Sequence, residues 1–196
     1  MTVVTRRLGL GALALGVVAP FVGDPYRPAP RGGLDLDAVA REINDGSDHV
    51  DARQLARWIR DRRPGLRVID VRPAAAFEDY AIPTAENVPV ERLAHLAVAP
   101  GDHLVLYSEE GAHAGQAWVM LRALGVHDAV FIPGGLADWR DEVMQPVLSD
   151  ATPAAERAEA TALSRYFGGT PRQGTGGDTA GAAPVPPSQS LRRRGC

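Results

Sequence analysis

The sequence predicts an α/β fold: one domain built on a mostly parallel central sheet of about five strands, with helices on both faces. Three observations predict it. Short apolar runs rich in β-branched residues alternate with stretches of helical spacing. The clearest run, Leu104-Val105-Leu106-Tyr107, is continuously apolar rather than alternating, as strands covered on both faces are. Hydrophobic residues make up 45% of the chain and charged residues 23%, ordinary values for a globular core.

The 196 residues leave room for one such domain plus flanking segments. Thr5-Arg6-Arg7 precedes an apolar stretch from Leu8 to Val22. A basic start followed by about fifteen apolar residues is the pattern of an export signal, and residues 1–23 are expected to be an export signal or membrane anchor. The expected location is therefore the cell envelope, on the periplasmic side, with membrane association through residues 6–23. Residues 24–33 are rich in Pro, Arg and Gly and read as a linker. Residues 34–48 begin with a short amphipathic helix carrying Leu34, Leu36, Val39, Ala40 and Ile43.

Within residues 49–148 the elements follow one another. Asp51 to Arg62 places Leu55, Trp58 and Ile59 at helical spacing. Leu66 to Val71 is a strand, Asn87 to Val90 a brief second one, and His103 to Tyr107 the next. Gly111 to Leu124 reads as a helix closed by Gly125, Ala129 to Ile132 as a strand, and Gly134-Gly135 as the start of a helix through Trp139. Residues 152–169 form a further helix, with Thr152 as cap and Pro153 at its first position. Residues 170–196 lack apolar periodicity and are expected to be a disordered tail ending in Arg192-Arg193-Arg194-Gly195-Cys196.

Charge and cysteine usage exclude several functions. The net charge is −3, which makes no electrostatic case for nucleic acid. All basic residues are arginine, and the sole cysteine is Cys196. An intramolecular disulfide, a cysteine-rich metal site and a thiol nucleophile inside the domain are all excluded.

Three blocks carry a resemblance. Val68-Ile69-Asp70-Val71-Arg72 is followed by Phe77 and Ile82-Pro83-Thr84-Ala85-Glu86-Asn87-Val88-Pro89. A strand, tight loop and helix surround Ser108. Phe131-Ile132-Pro133-Gly134-Gly135-Leu136-Ala137-Asp138-Trp139 closes the set. In this order and spacing they resemble the rhodanese (sulfurtransferase) family. The resemblance implies that Asp70, Arg72, Gly134, Gly135 and Trp139 are structural, and that Ser108 stands where the family has its nucleophilic cysteine. Tyr80-Ala81 stands where the family usually has Gly-His, and Glu109-Glu110-Gly111-Ala112-His113 replaces a loop that is typically basic.

Sulfur transfer needs a thiolate, activated at a helix N-terminus, that holds sulfur as a persulfide. Serine cannot, and two carboxylates at the loop mouth would repel a thiosulfate dianion. No catalytic residue, cofactor or metal is therefore expected. Residues Ser108 to His113 are expected to be a recognition loop for a protein partner or small ligand, in a binding, scaffolding or regulatory module. Two alternatives stand beside this. Cys196 could supply a tail thiol for a sulfurtransferase or redox protein, or Glu109, Glu110 and His113 could sense a cation or small ligand. A Ser108–His113 hydrolase pair oriented by Glu109 or Glu110 is disfavoured, because the residues lie too close in sequence to converge.

Overall fold

The computed structural model of the protein describes residues 34–174. Its centre is a four-stranded parallel sheet in the order β2-β1-β3-β4, formed by β1 (Leu66–Asp70), β2 (Ala85–Asn87), β3 (His103–Tyr107) and β4 (Ala129–Phe131). The two inner strands bury Val68, Ile69 and Asp70, and Leu104 to Tyr107. That double burial is why β3 reads as unbroken apolar sequence. The register sets Asp70 beside Tyr107 at the carboxyl ends of the central strands. The next residues, Val71-Arg72 and Ser108-Glu109, therefore leave the sheet side by side.

The sheet has four strands, not the expected five. On the open edge of β4, His49 makes a single parallel bridge to Phe131. Val50 N donates to Phe131 O at 3.0 Å, and Phe131 N donates to Asp48 O at 3.1 Å. The segment cannot lengthen into a strand. Gly46, at φ 74°, ends the helix before it, and Asp51 caps the helix after it. The brief strand expected at Asn87 to Val90 lies earlier, at Ala85–Asn87. Pro89 cannot donate to a ladder, and a 3-10 turn, Val90–His95, follows it.

Helices cover both faces. The short α1 (Leu36–Asp45) is capped by Asp35. In α2 (Ala52–Arg60) the Asp51 carboxylate accepts from Gln54 N at 2.6 Å, and Leu55, Ala56 and Ile59 are buried. The six-residue α3 (Ala74–Asp79) has no buried residue. In α4 (Ala112–Ala123), Ala114, Ala117, Trp118 and Leu121 form the inward stripe. Trp118 Nε1 donates to Ala129 O at 2.8 Å, tying this helix to β4. The single turn α5 (Gly135–Asp138) runs into a π-helical segment, Trp139–Met144. The main core joins Leu55, Val68, Val105, Tyr107, Leu136, Trp139, Val143 and Leu163.

Beyond this, β5 (Val147–Leu148) precedes α6 (Ala154–Tyr166). Thr152 does not cap α6; its hydroxyl instead accepts from Ser149 N at 3.3 Å. Residues 170–174, expected to be disordered, are ordered. Thr170 N donates to Met144 O at 2.8 Å, and β6 (Arg172–Gln173) pairs in parallel with β5. The close approach requires Gly169, where an added Cβ would sit 2.1 Å from Met144 O. The proposed export signal or anchor, the linker, residues 175–196 of the tail and Cys196 lie outside the described residues. Among the described residues, no helix is long and apolar enough to cross a membrane.

The junction of α2 with the π-helical segment carries a pH-sensitive group. Partial burial, with Asp138 nearby, holds the Glu142 carboxyl above the ordinary glutamate value of 4.5. Among the described residues its Oε2 has no hydrogen-bond partner, and it lies 3.8 Å from Arg53 Nε. A raised folded value means that Glu142 contributes stability fully below the unfolded pKa and loses it as pH rises through the folded one. Glu142→Gln removes that loss. The melting temperature of the variant relative to wild type is expected to rise by roughly 1–2 °C between pH 4 and pH 7. Thermal denaturation across this range checks it.

Candidate functional site

The site is assembled where β1 and β3 end. Asp70 and Arg72 are both buried and face each other across one turn of chain. Arg72 Nε donates to both Asp70 carboxylate oxygens at 3.1 Å, Nη2 donates to Oδ2 at 2.7 Å, and Arg72 N donates to Oδ1 at 2.9 Å. The remaining guanidinium donors reach outward: Nη2 to Tyr80 O at 2.6 Å, and Nη1 to Glu109 Oε2 at 2.7 Å. Asn87 Nδ2 closes the turn by donating to Asp70 O and Arg72 O. Burial opposes the Arg72 charge, but its bonds to Asp70 and Glu109 outweigh that and hold its pKa above the ordinary arginine value. Burial, reinforced by the neighbouring Asp70, pushes the Tyr107 phenol far up, so it stays neutral. Its hydroxyl accepts from Ile82 N at 3.1 Å.

The loop after β3 packs backbone to backbone against the turn before α5. Ser108 is only 2% exposed. Its hydroxyl accepts from Ala114 N in the first turn of α4 at 3.3 Å, and its carbonyl accepts from Leu136 N at 2.8 Å. Two glycines permit this closeness. A Cβ on Gly111, at φ +82°, would meet Pro133 O at 1.5 Å, and one on Gly135, at φ +60°, would meet Ser108 O at 2.2 Å. Gly134 N donates to the Asp138 carboxylate. Trp139 is fully buried and donates from Nε1 to the Tyr80 hydroxyl at 3.2 Å.

The six residues expected to form a recognition loop do not act as one face. Glu109 turns back over the domain, its Oε1 accepting from Arg140 Nη1 at 2.8 Å while Oε2 is held by Arg72. Glu110, Ala112 and His113 are exposed, whereas Ser108 and Gly111 are buried. The expected pair of free carboxylates at the loop mouth is therefore one carboxylate, Glu110, because two guanidiniums compensate Glu109. Among the described residues, no three His, Cys, Asp or Glu side chains are placed to hold a metal ion, and none of their hydrogen bonds joins His113 to Ser108. Among the described residues, Glu109, Glu110 and His113 do not converge on a cation and no base reaches the Ser108 hydroxyl.

Two site residues escape sequence reasoning. Tyr80 was visible only as a departure from the family's Gly-His pattern, and Arg140 only as the residue after Trp139. The structure brings them together, with the Arg140 guanidinium 5.5 Å from the centre of the Tyr80 ring.

The two ion pairs of this cluster differ in environment, which separates their energetic weight. Asp70→Asn removes the buried counter-charge of Arg72, leaving it only the half-exposed Glu109 carboxylate, and is expected to destabilise the domain by about 3 kcal/mol. Arg140→Gln removes a half-exposed partner of Glu109 and is expected to cost less than about 1 kcal/mol. Urea unfolding of both variants beside wild type measures the contrast; equal losses would contradict it.

Residues 51–142 match the Rhodanese-like domain family. An uncharacterized protein of Synechocystis sp., slr1261, is 31% identical over 88 residues, covering 44% of this chain and 49% of that protein. A probable adenylyltransferase/sulfurtransferase of Mycobacterium tuberculosis, MoeZ, is 29% identical over 118 residues, 58% of this chain and 29% of that one. The chain thus spans half or less of the curated relatives it matches. Among solved structures, the rhodanese-like domain of Anabaena sp. Alr3790 is 26% identical, with 47% of this chain and 73% of that one covered at a TM-score of 0.44. The human single-domain sulfurtransferase TSTD1 is 26% identical, with 47% and 94% covered at a TM-score of 0.42. Residues 51–142 thus form a rhodanese-like domain.

Proposed function

We propose that this protein is a rhodanese-like binding module of the cell envelope, without sulfurtransferase activity of its own. The observation that carries the reading is the Ser108 hydroxyl. It lies at the carboxyl end of β3, where the family resemblance implies a nucleophilic cysteine, and it is buried as an acceptor for the Ala114 amide. A hydroxyl cannot store sulfane sulfur, and none of the hydrogen bonds of the described residues joins a base to it. Arg72 and Arg140, which would otherwise favour an incoming anion, are engaged by Glu109.

The exposed face at this end of the sheet, with Glu110 and His113 beside the Glu109 cluster, supports recognition of a protein partner or small ligand. The basic and apolar pattern of residues 1–23 supports placement in the envelope.

MoeZ carries sulfurtransferase in its name. Such an activity here would need a thiol, and Cys196 is the only one. Thiosulfate:cyanide sulfurtransferase activity is therefore measured on wild type and on Cys196→Ser. No turnover above background is expected from either. Turnover in wild type that Cys196→Ser loses would replace this reading with a tail-thiol enzyme.

A further inference from the structure

Glu109 satisfies an outward donor of Arg72 but is not what positions either of its two arginine neighbours. Arg72 is already positioned by two oxygens of Asp70 and by the Tyr80 carbonyl. Arg140 stacks over the Tyr80 ring, and that tyrosine is fixed through its hydroxyl by Trp139. Both guanidiniums are thus placed by elements other than the loop, Arg72 from the end of β1 and Arg140 from the π-helical segment. Between them sits one carboxylate, with a single hydrogen bond on each oxygen at 2.7 and 2.8 Å. The Glu109 side chain is 51% exposed, so water and solutes reach it. The Arg140–Glu109 pair, half-exposed on both sides, is weak and exchangeable, whereas Arg72 beneath it is buried and donates outward to Glu109 through Nη1 alone.

From this we infer that Arg72 and Arg140 form a carboxylate-binding site for an acidic peptide segment of a partner protein, and that Glu109 fills it in cis until the partner displaces it. The inference deepens, and rests on, the reading of the 108–113 region as a recognition surface. Asp70, Arg72, Glu109 and Arg140 together carry no net charge. Removing the Glu109 carboxylate leaves one positive charge uncompensated on a domain that is otherwise acidic, with a formal net charge of −3 for the whole chain. Attraction of an acidic peptide would therefore be local to this site rather than general. A tethered competitor acts at a high effective concentration, so the site is masked in wild type without being lost.

The experiment uses the full chain and a fluorescently labelled, end-blocked tetra-glutamate peptide, with tetra-glutamine as control, read by anisotropy at low ionic strength. Glu109→Ala is expected to bind tetra-glutamate at least roughly tenfold more tightly than wild type. Arg140→Gln in the Glu109→Ala background is expected to return the affinity to the wild-type level. Tetra-glutamine is expected to bind neither. Thermal unfolding confirms that each variant is folded, and Glu109→Gln, which keeps a neutral hydrogen-bonding side chain, replaces Glu109→Ala if that variant is not. Equal affinity of wild type and the Glu109 variant overturns the inference, as does affinity that survives Arg140→Gln. Either failure leaves the sulfurtransferase assay untouched, and turnover in that assay would leave this binding result standing.

Discussion

Asp70 and Arg72 hold the functional end of the sheet together. A carboxylate and a guanidinium taken out of water lose their hydration, and their mutual attraction offsets that loss only when nearly every donor and acceptor finds a partner. Here the pair is satisfied on all sides. Three side-chain bonds and one backbone bond serve the Asp70 carboxylate, and the surplus guanidinium donors reach Tyr80 and Glu109. Because the pair is built from one strand end, its outward donors become fixed points for segments far away in sequence. The chain around Tyr80 is drawn in by one of them and the loop after β3 by another.

The loop after β3 is constrained from its other side by backbone alone. Gly111 and Gly135 bring the loop and the turn at Pro133 within a distance that no side chain tolerates. Ser108, between them, is small enough to be enclosed, and its hydroxyl takes up an amide of the first turn of α4. The same enclosure that stabilises the loop keeps this hydroxyl from solvent. The exposed chemistry therefore moves one residue along the chain, to Glu109 and its two arginines.

The segment after the family match does more than trail from the domain. Leu163 joins the main core, and Phe167 packs edge-on against Trp139 with ring centres 4.9 Å apart. Ser164 donates to Met144 O at 2.9 Å. On the surface, Arg53 and Arg57 of α2 pair with Glu156 and Glu159 of α6. Residue Trp139, whose indole also holds Tyr80, is thus buttressed from a helix outside residues 51–142. Loss of α6 would reach the site through that indole.

By itself the sequence determined the parallel α/β architecture and the central strands. These follow from local patterns: continuous apolar runs alternating with stretches of helical spacing, and glycines at helix ends. It also placed Ser108 at the end of β3. Tertiary structure alone decided the strand count at the β4 edge, where the caps on either side of Asp48 to Val50 left only one bridge. It alone ordered residues 170–174, because the open edge of β5 supplied backbone partners that composition does not reveal. The identity of the exposed charge was decided the same way. Glu109 reads as a free acid beside Glu110, but its sign of influence depends on Arg72, Arg140 and Tyr80, which lie up to 37 residues away and meet it only when the sheet and the π-helical segment are assembled. Charge pairing of this kind is a property of distance in space, and spacing along a chain does not encode it.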